Sequence, residues 1–150
     1  MKKFIIAMLC ALYVSNVSAQ DVSAFNIIWG PLCVDVKYDD NMNPTSHSFT
    51  LIFQDANYKA LSKKFIYVTG SAQEIFDSLK PIEEFALKYD QNGLSKSYEN
   101  MTLTRFNIPL VNYVNVDLGD NTFDIELFAI NQIKKRLIKY CKKNKLGLPE

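Results

Sequence analysis

The chain has 150 residues, of which 48% are hydrophobic, 22% charged and 13% aromatic. That composition excludes a disordered chain, a collagen-like repeat and a coiled-coil rod. Its formal charge of +1, from 17 basic and 16 acidic residues, supplies no global field to steer nucleic acid or an acidic substrate. A single histidine, His47, removes most imidazole-based catalysis and metal ligation.

At the amino end, Lys2 and Lys3 precede an apolar run from Phe4 to Val14, and Val17-Ser18-Ala19 supplies small residues for a cleavage site. This is the layout of a secretory signal peptide, and the run is shorter than the roughly 20 apolar residues of a membrane span. A lipoprotein anchor at Cys10 is disfavoured, because Leu9 stands where a small residue is needed. The expectation is a signal over residues 1–19, cleavage before Gln20, and one α+β domain over residues 20–150. That domain would be secreted or periplasmic in a bacterium, with no membrane span of its own. Cleavage leaves two cysteines, Cys33 and Cys141, the candidate disulfide of an oxidising compartment. Strand parity argues against the bridge. Cys33 alternates with Asp35 and Lys37, whereas Cys141 falls on an apolar helix stripe.

Residues 26–38 read as a strand interrupted at Gly30-Pro31, where a bulge or sheet edge is expected because Pro31 cannot donate to a ladder. Residues 39–46 are turn chemistry. Residues 49–53 and 64–69 read as two further strands. Ser71 and Glu74 form a capping box, and Ile75, Leu79, Ile82, Ala86 and Tyr89 continue it as one helical stripe with Pro81 inside. Asn92-Gly93 ends that helix. Residues 101–108 and 111–118 are two more strands.

After them the pattern forks. Residues 123–127 can pair back across Asp120-Asn121, which sets Asp117 opposite Asp124 as a like-charge pair. Alternatively one helix runs from about Thr122 to Asn144, with Phe123, Leu127, Ile130, Ile133, Leu137 and Cys141 in helical spacing and seven basic residues toward its end. The helix is the chosen reading. The resulting order is β-β-β-α-β-β-α, an antiparallel five-stranded sheet with two helices on one face. No internal repeat is visible.

The search for chemistry excludes more than it finds. No phosphate-cradling glycine loop, nucleophile elbow or CxxC pair is present, and one histidine cannot build a usual zinc site. The expectation is therefore no metal, no cofactor and no nucleic acid. A dyad of His47 with either cysteine is weaker than a bridged or buried cysteine. Asp39-Asp40 reads as a turn and Glu83-Glu84 as a solvated face. Asp117, Asp120, Asp124 and Glu126 lack the spacing of a calcium loop. The basic carboxy-terminal run reads as a solvated helix face.

Alternation leaves one wet sheet face carrying Asp35, Lys37, Tyr67, Thr102, Thr104, Tyr113, Asn115 and Asp117, of which Tyr67, Thr104, Tyr113, Asn115 and Asp117 are the candidate binding residues for a polar partner. A non-enzymatic module binding a protein or glycan is the leading expectation. A carboxylate-dependent hydrolase and a carrier of an apolar ligand are the alternatives.

Overall fold

The computed structural model describes residues 25–29, 31–57, 63–109 and 111–150, with backbone alone for Phe25–Trp29, Ile108 and Val111. The expected signal peptide and its cleavage site lie outside the described residues. The strands are β1 (Phe25–Trp29), β2 (Leu32–Tyr38), β3 (Pro44–Gln54), β4 (Lys64–Gly70), β5 (Ser95–Tyr98), β6 (Met101–Ile108), β7 (Val111–Asp117) and β8 (Thr122–Glu126). Helix α1 (Ala72–Lys88) follows β4, and helix α2 (Leu127–Lys143) follows β8.

Among the described residues the class is α+β with antiparallel strands and two helices, as expected. The single five-stranded sheet is corrected. The described residues form two four-stranded meanders, β1-β2-β3-β4 and β5-β6-β7-β8, each followed by a helix. The chain therefore repeats a ββββα unit in topology while showing no repeat in sequence.

Three strands account for the difference. The stretch read as one interrupted strand is two, because Trp29 pairs with Leu32 across a tight turn that contains Pro31. Proline at a turn costs no ladder bond. Residues 95–98 form an exposed edge strand opposite β6; their Ser-Lys-Ser-Tyr sequence lacks the apolar alternation that announces a strand.

The third strand is β8, where a helix was expected. Phe123 and Ile125 are both buried, a period of two that no helix satisfies, since two residues apart on a helix point to nearly opposite sides. The charge objection dissolves through the register. Asn115 pairs with Asp124, and Asp117 pairs with Thr122. The connection is a four-residue turn over residues 118–121, closed by Leu118 N donating to Asn121 O at 2.9 Å, with Gly119 at φ +87°. Asp117 accepts from Gly119 N at 2.8 Å and so serves this turn.

Helix α1 starts where the capping box places it. Ser71 Oγ accepts from Glu74 N at 3.3 Å, and Ser71 N donates to Glu74 Oε2 at 2.6 Å. These bonds hold the Glu74 carboxyl below its ordinary range. A Cβ on Gly70 would stand 2.4 Å from that same Oε2, so a side chain there would have to displace the carboxyl that closes the box. The helix continues through Pro81.

One buried cluster joins the two units. Leu32, Val34, Phe49 and Leu51 of the first sheet and Leu103, Val114, Val116 and Phe123 of the second meet Ile75, Leu79, Ile82, Ile133 and Leu137 of the helices. Helix α1 packs against β3 and β4 on one side and β6 and β7 on the other, and α2 packs against β7 and β8. Tyr140 of α2 reaches the first sheet. Its ring stands edge-on to Phe49 at 5.7 Å, and its hydroxyl bonds His47 Nδ1 at 2.9 Å. Between the helices Lys134 is paired with Glu83 and lies 4.7 Å from the centre of the Phe76 ring.

The disulfide is also corrected. Cys33 and Cys141 are free and buried. Leu32 and Val34 turn inward to the helices, so Cys33 between them must face the opposite side of the sheet from Cys141. Burial pushes both thiols up, with the Asp35 charge adding to the effect at Cys33. Both stay protonated at neutral pH and are poor nucleophiles. Denatured without reductant, residues 20–150 are expected to titrate as two free thiols, both of them slow to alkylate in the native protein. A bridged pair in that assay would contradict the fold's two-sided placement of these residues.

Candidate functional site

The ladder of the second sheet assigns its two faces. Leu103 and Arg105 on β6, Val114 and Val116 on β7, and Phe123 and Ile125 on β8 are buried toward the helices. Their neighbours in sequence therefore share the outer face. Ser95, Thr104, Asn115 and Asp124 are successive partners across all four strands, and Phe106, Tyr113 and Glu126 form the next row. Alternate residues on a strand are about 7 Å apart, so the two rows make one continuous surface.

Side-chain bonds within the sheet preset this surface. Ser95 and Thr104 hydroxyls are 2.8 Å apart, Ser97 and Thr102 hydroxyls 3.1 Å, and Asn115 Nδ2 donates to Asp124 Oδ1 at 2.8 Å. Phe106 and Tyr113 stack, with centroids 5.0 Å apart and planes 19° from parallel. The result is a flat aromatic pair beside a strip of hydroxyl, amide and carboxylate groups. Tyrosine supplies apolar contact area with one polar tip, and cross-strand bonding reduces the rotamer freedom lost when a partner docks.

Four of the five expected binding residues, Thr104, Tyr113, Asn115 and Asp117, lie on this face. Tyr67 does not. It belongs to the other sheet, where Leu51 pairs with Val68 but Ile52 pairs with Ile66. Tyr67 is the extra residue of that bulge, and a bulge re-aims side chains. Its hydroxyl donates to Ser78 O on α1 at 3.1 Å, and its ring lies 5.1 Å from Phe123. Burial raises its phenol pKa. Counting strictly by twos along β4 misses the bulge.

Sequence reasoning also missed Ser95, Phe106, Asp124 and Glu126. Phe106 was legible, since it shares the parity of Thr104. Asp124 and Glu126 were hidden by the helix reading of β8. Arg105, by contrast, points inward and is 4% exposed, with Nε and Nη1 lacking a hydrogen-bond partner. Burial pulls its pKa below the ordinary guanidinium value, opposed by the nearby Asp90 charge.

Two depressions border the face. A shallow one of about 480 Å³ lies between the turns at Glu99-Asn100 and Leu118-Gly119. A groove of about 610 Å³ runs where the β8 side meets the first sheet and is lined by Cys33, Phe53, Lys64, Asp124 and Glu126 among others. Among the described residues no group of three His, Cys, Asp or Glu is placed to hold a metal ion. Among them, too, no helix is long and apolar enough to cross a membrane. Compared with family models, curated proteins and solved structures, the chain matches none.

Proposed function

We propose that this chain is an exported, non-enzymatic binding module that recognises a polar protein or glycan through the outer face of the β5–β8 sheet. The observation that carries the reading is the stacked Phe106–Tyr113 pair beside the hydrogen-bonded strip of Ser95, Thr104, Asn115 and Asp124. A rigid aromatic pair gives a partner an anchor, and the strip gives it direction. Export rests on the amino-terminal pattern of residues 1–19.

The test begins with protein recovered from the periplasm or medium, whose intact mass should start at Gln20. Partners captured from the same fraction are then titrated against wild type and against Tyr113→Ala and Phe106→Ala. A central anchor truncated to alanine costs about 2 kcal/mol or more, roughly a thirtyfold loss of affinity, with the fold unchanged. Equal affinity in both variants would move the site off this face. Turnover of a glycan, lost on Glu126→Gln, would replace binding with the carboxylate-hydrolase reading. That second reading draws on Asp124 and Glu126 lining one groove.

A further inference from the structure

The charge of this chain is segregated. From Leu127 to Pro149 there are seven Lys and Arg and no Asp or Glu, whereas residues 20–126 hold eight basic and fifteen acidic residues. A net charge near zero therefore conceals one strongly cationic helix on an acidic body.

Helical geometry gathers that charge on one side. Successive residues turn by about 100°, so Phe128, Lys135, Arg136, Lys139, Lys142 and Lys143 fall within a sector of about 120° and a line about 22 Å long. All six are exposed. Ile130, Ile133, Leu137 and Cys141 occupy the opposite side and are buried. Lys134 is turned toward α1 and takes Glu83 as its partner. The ion pairs among the described residues are this one and Lys63–Asp55, so the exposed cations of α2 have no described carboxylate at salt-bridge distance.

Fold stability does not account for the arrangement. The helix dipole favours cations in the last turn, which covers Lys142 and Lys143 but leaves Lys135, Arg136 and Lys139 unexplained. Lys135–Lys139 and Lys139–Lys143 are like-charge pairs four residues apart, and such pairs oppose helix formation. A solvated face ordinarily intersperses acids; this one has none.

We infer that the exposed face of α2 is a docking surface for an anionic lipid bilayer. A convex helix carrying cations in a straight line contacts a plane better than it fills a groove. Phe128, 68% exposed at the head of the line, supplies the aromatic side chain that enters the interfacial layer beside basic residues. Tyr140, the other aromatic in this helix segment, is buried and unavailable for stacking on nucleic-acid bases. The surface is distinct from the proposed recognition face. Helix α2 packs on the inner side of β7 and β8, so its solvent side looks away from Tyr113 and Asn115.

The test is co-sedimentation of the full chain with phosphatidylcholine vesicles prepared with and without phosphatidylglycerol. Wild type should bind the anionic vesicles more tightly than the neutral ones, and that excess should be lost as salt is raised. The triple variant Lys135→Gln, Lys139→Gln and Lys142→Gln should lose about a hundredfold in partition, near fivefold for each charge removed. Phe128→Ala should lose several-fold at any salt concentration. A control triple, Lys37→Gln, Lys64→Gln and Lys80→Gln, should bind as wild type. All forms share the same amino terminus, so a contribution from residues 1–19 cancels between them. Thermal unfolding of the α2 variant, unchanged or raised, certifies its fold. Equal partition of wild type and the α2 triple variant overturns the proposal. So does preferential, α2-dependent binding to duplex DNA or to a sulfated glycan over anionic vesicles.

Discussion

Replacing Phe123 with alanine is expected to destabilise the protein by about 3–5 kcal/mol, the range for a large buried aromatic, read as a lower urea midpoint. Phe123 sits on β8 of the second unit, is 1% exposed, and stacks on Phe53 of the first unit with centroids 4.0 Å apart and planes 10° from parallel. Phe65 and Tyr67 tilt against the same ring at 6.0 and 5.1 Å. Among the described residues no ladder joins the two sheets, so this aromatic cluster and the helices carry the contact between units. Phe53→Ala should cost a similar amount. The double variant should cost less than the sum, because a stacked pair contributes about 0.5–1.5 kcal/mol beyond the area each ring buries. A change within about 0.5 kcal/mol, the size of a surface substitution, would contradict the placement of β8.

That residue also marks the limit of what the sequence could convey. Phe123, Leu127, Ile130 and Ile133 do lie at helical spacing, and the last three occupy α2. Phe123 matches the stripe by coincidence of period. What decides it is Ile125, whose burial requires the sheet period, and a register fixed by a four-residue turn that no side-chain pattern announces. Local signals with a physical mechanism were readable. The Ser71–Glu74 box opens α1, the Asp39 carboxylate accepts from Asn41 N and Asn43 N to close the turn after β2, and Gly93 at φ +78° follows the end of α1. Topology was less so. Pairing four strands into each of two sheets depends on contacts between units, and Ser95–Tyr98 becomes a strand only because β6 offers it an edge. The outer face of the β5–β8 sheet was mostly legible because alternation along β6 and β7 is undisturbed. Tyr67 was misplaced because a bulge has no compositional signature on β4.

The two faces of β7 make the sharpest test of that alternation. Val116 is 0% exposed and has Leu103 and Phe123 as cross-strand partners. Val116→Asp places a carboxylate among apolar side chains and is expected to cost about 3–5 kcal/mol at neutral pH, as for an uncompensated buried charge. Burial disfavours the charged form, so the introduced carboxyl has its folded pKa raised above the unfolded value of about 3.9. The variant's deficit should therefore shrink as pH falls through the raised folded pKa, because the folded state then gains the proton first. Val114→Asp serves as the internal comparison. Val114 is equally buried, but its partner on β6 is Arg105, whose Nε and Nη1 lack hydrogen-bond partners. Directly opposed residues on neighbouring strands have β-carbons about 5 Å apart, within reach of a long guanidinium. The carboxylate at this position should be neutralised by Arg105 and cost clearly less than the one at Val116, with little recovery on acidification. Asn115→Ser, between them on the outer face, should shift stability by less than either. Equal costs at residues 114, 115 and 116 would mean that β7 has no inner face, and would remove the basis for placing Tyr113 and Asn115 on the outer face proposed for recognition.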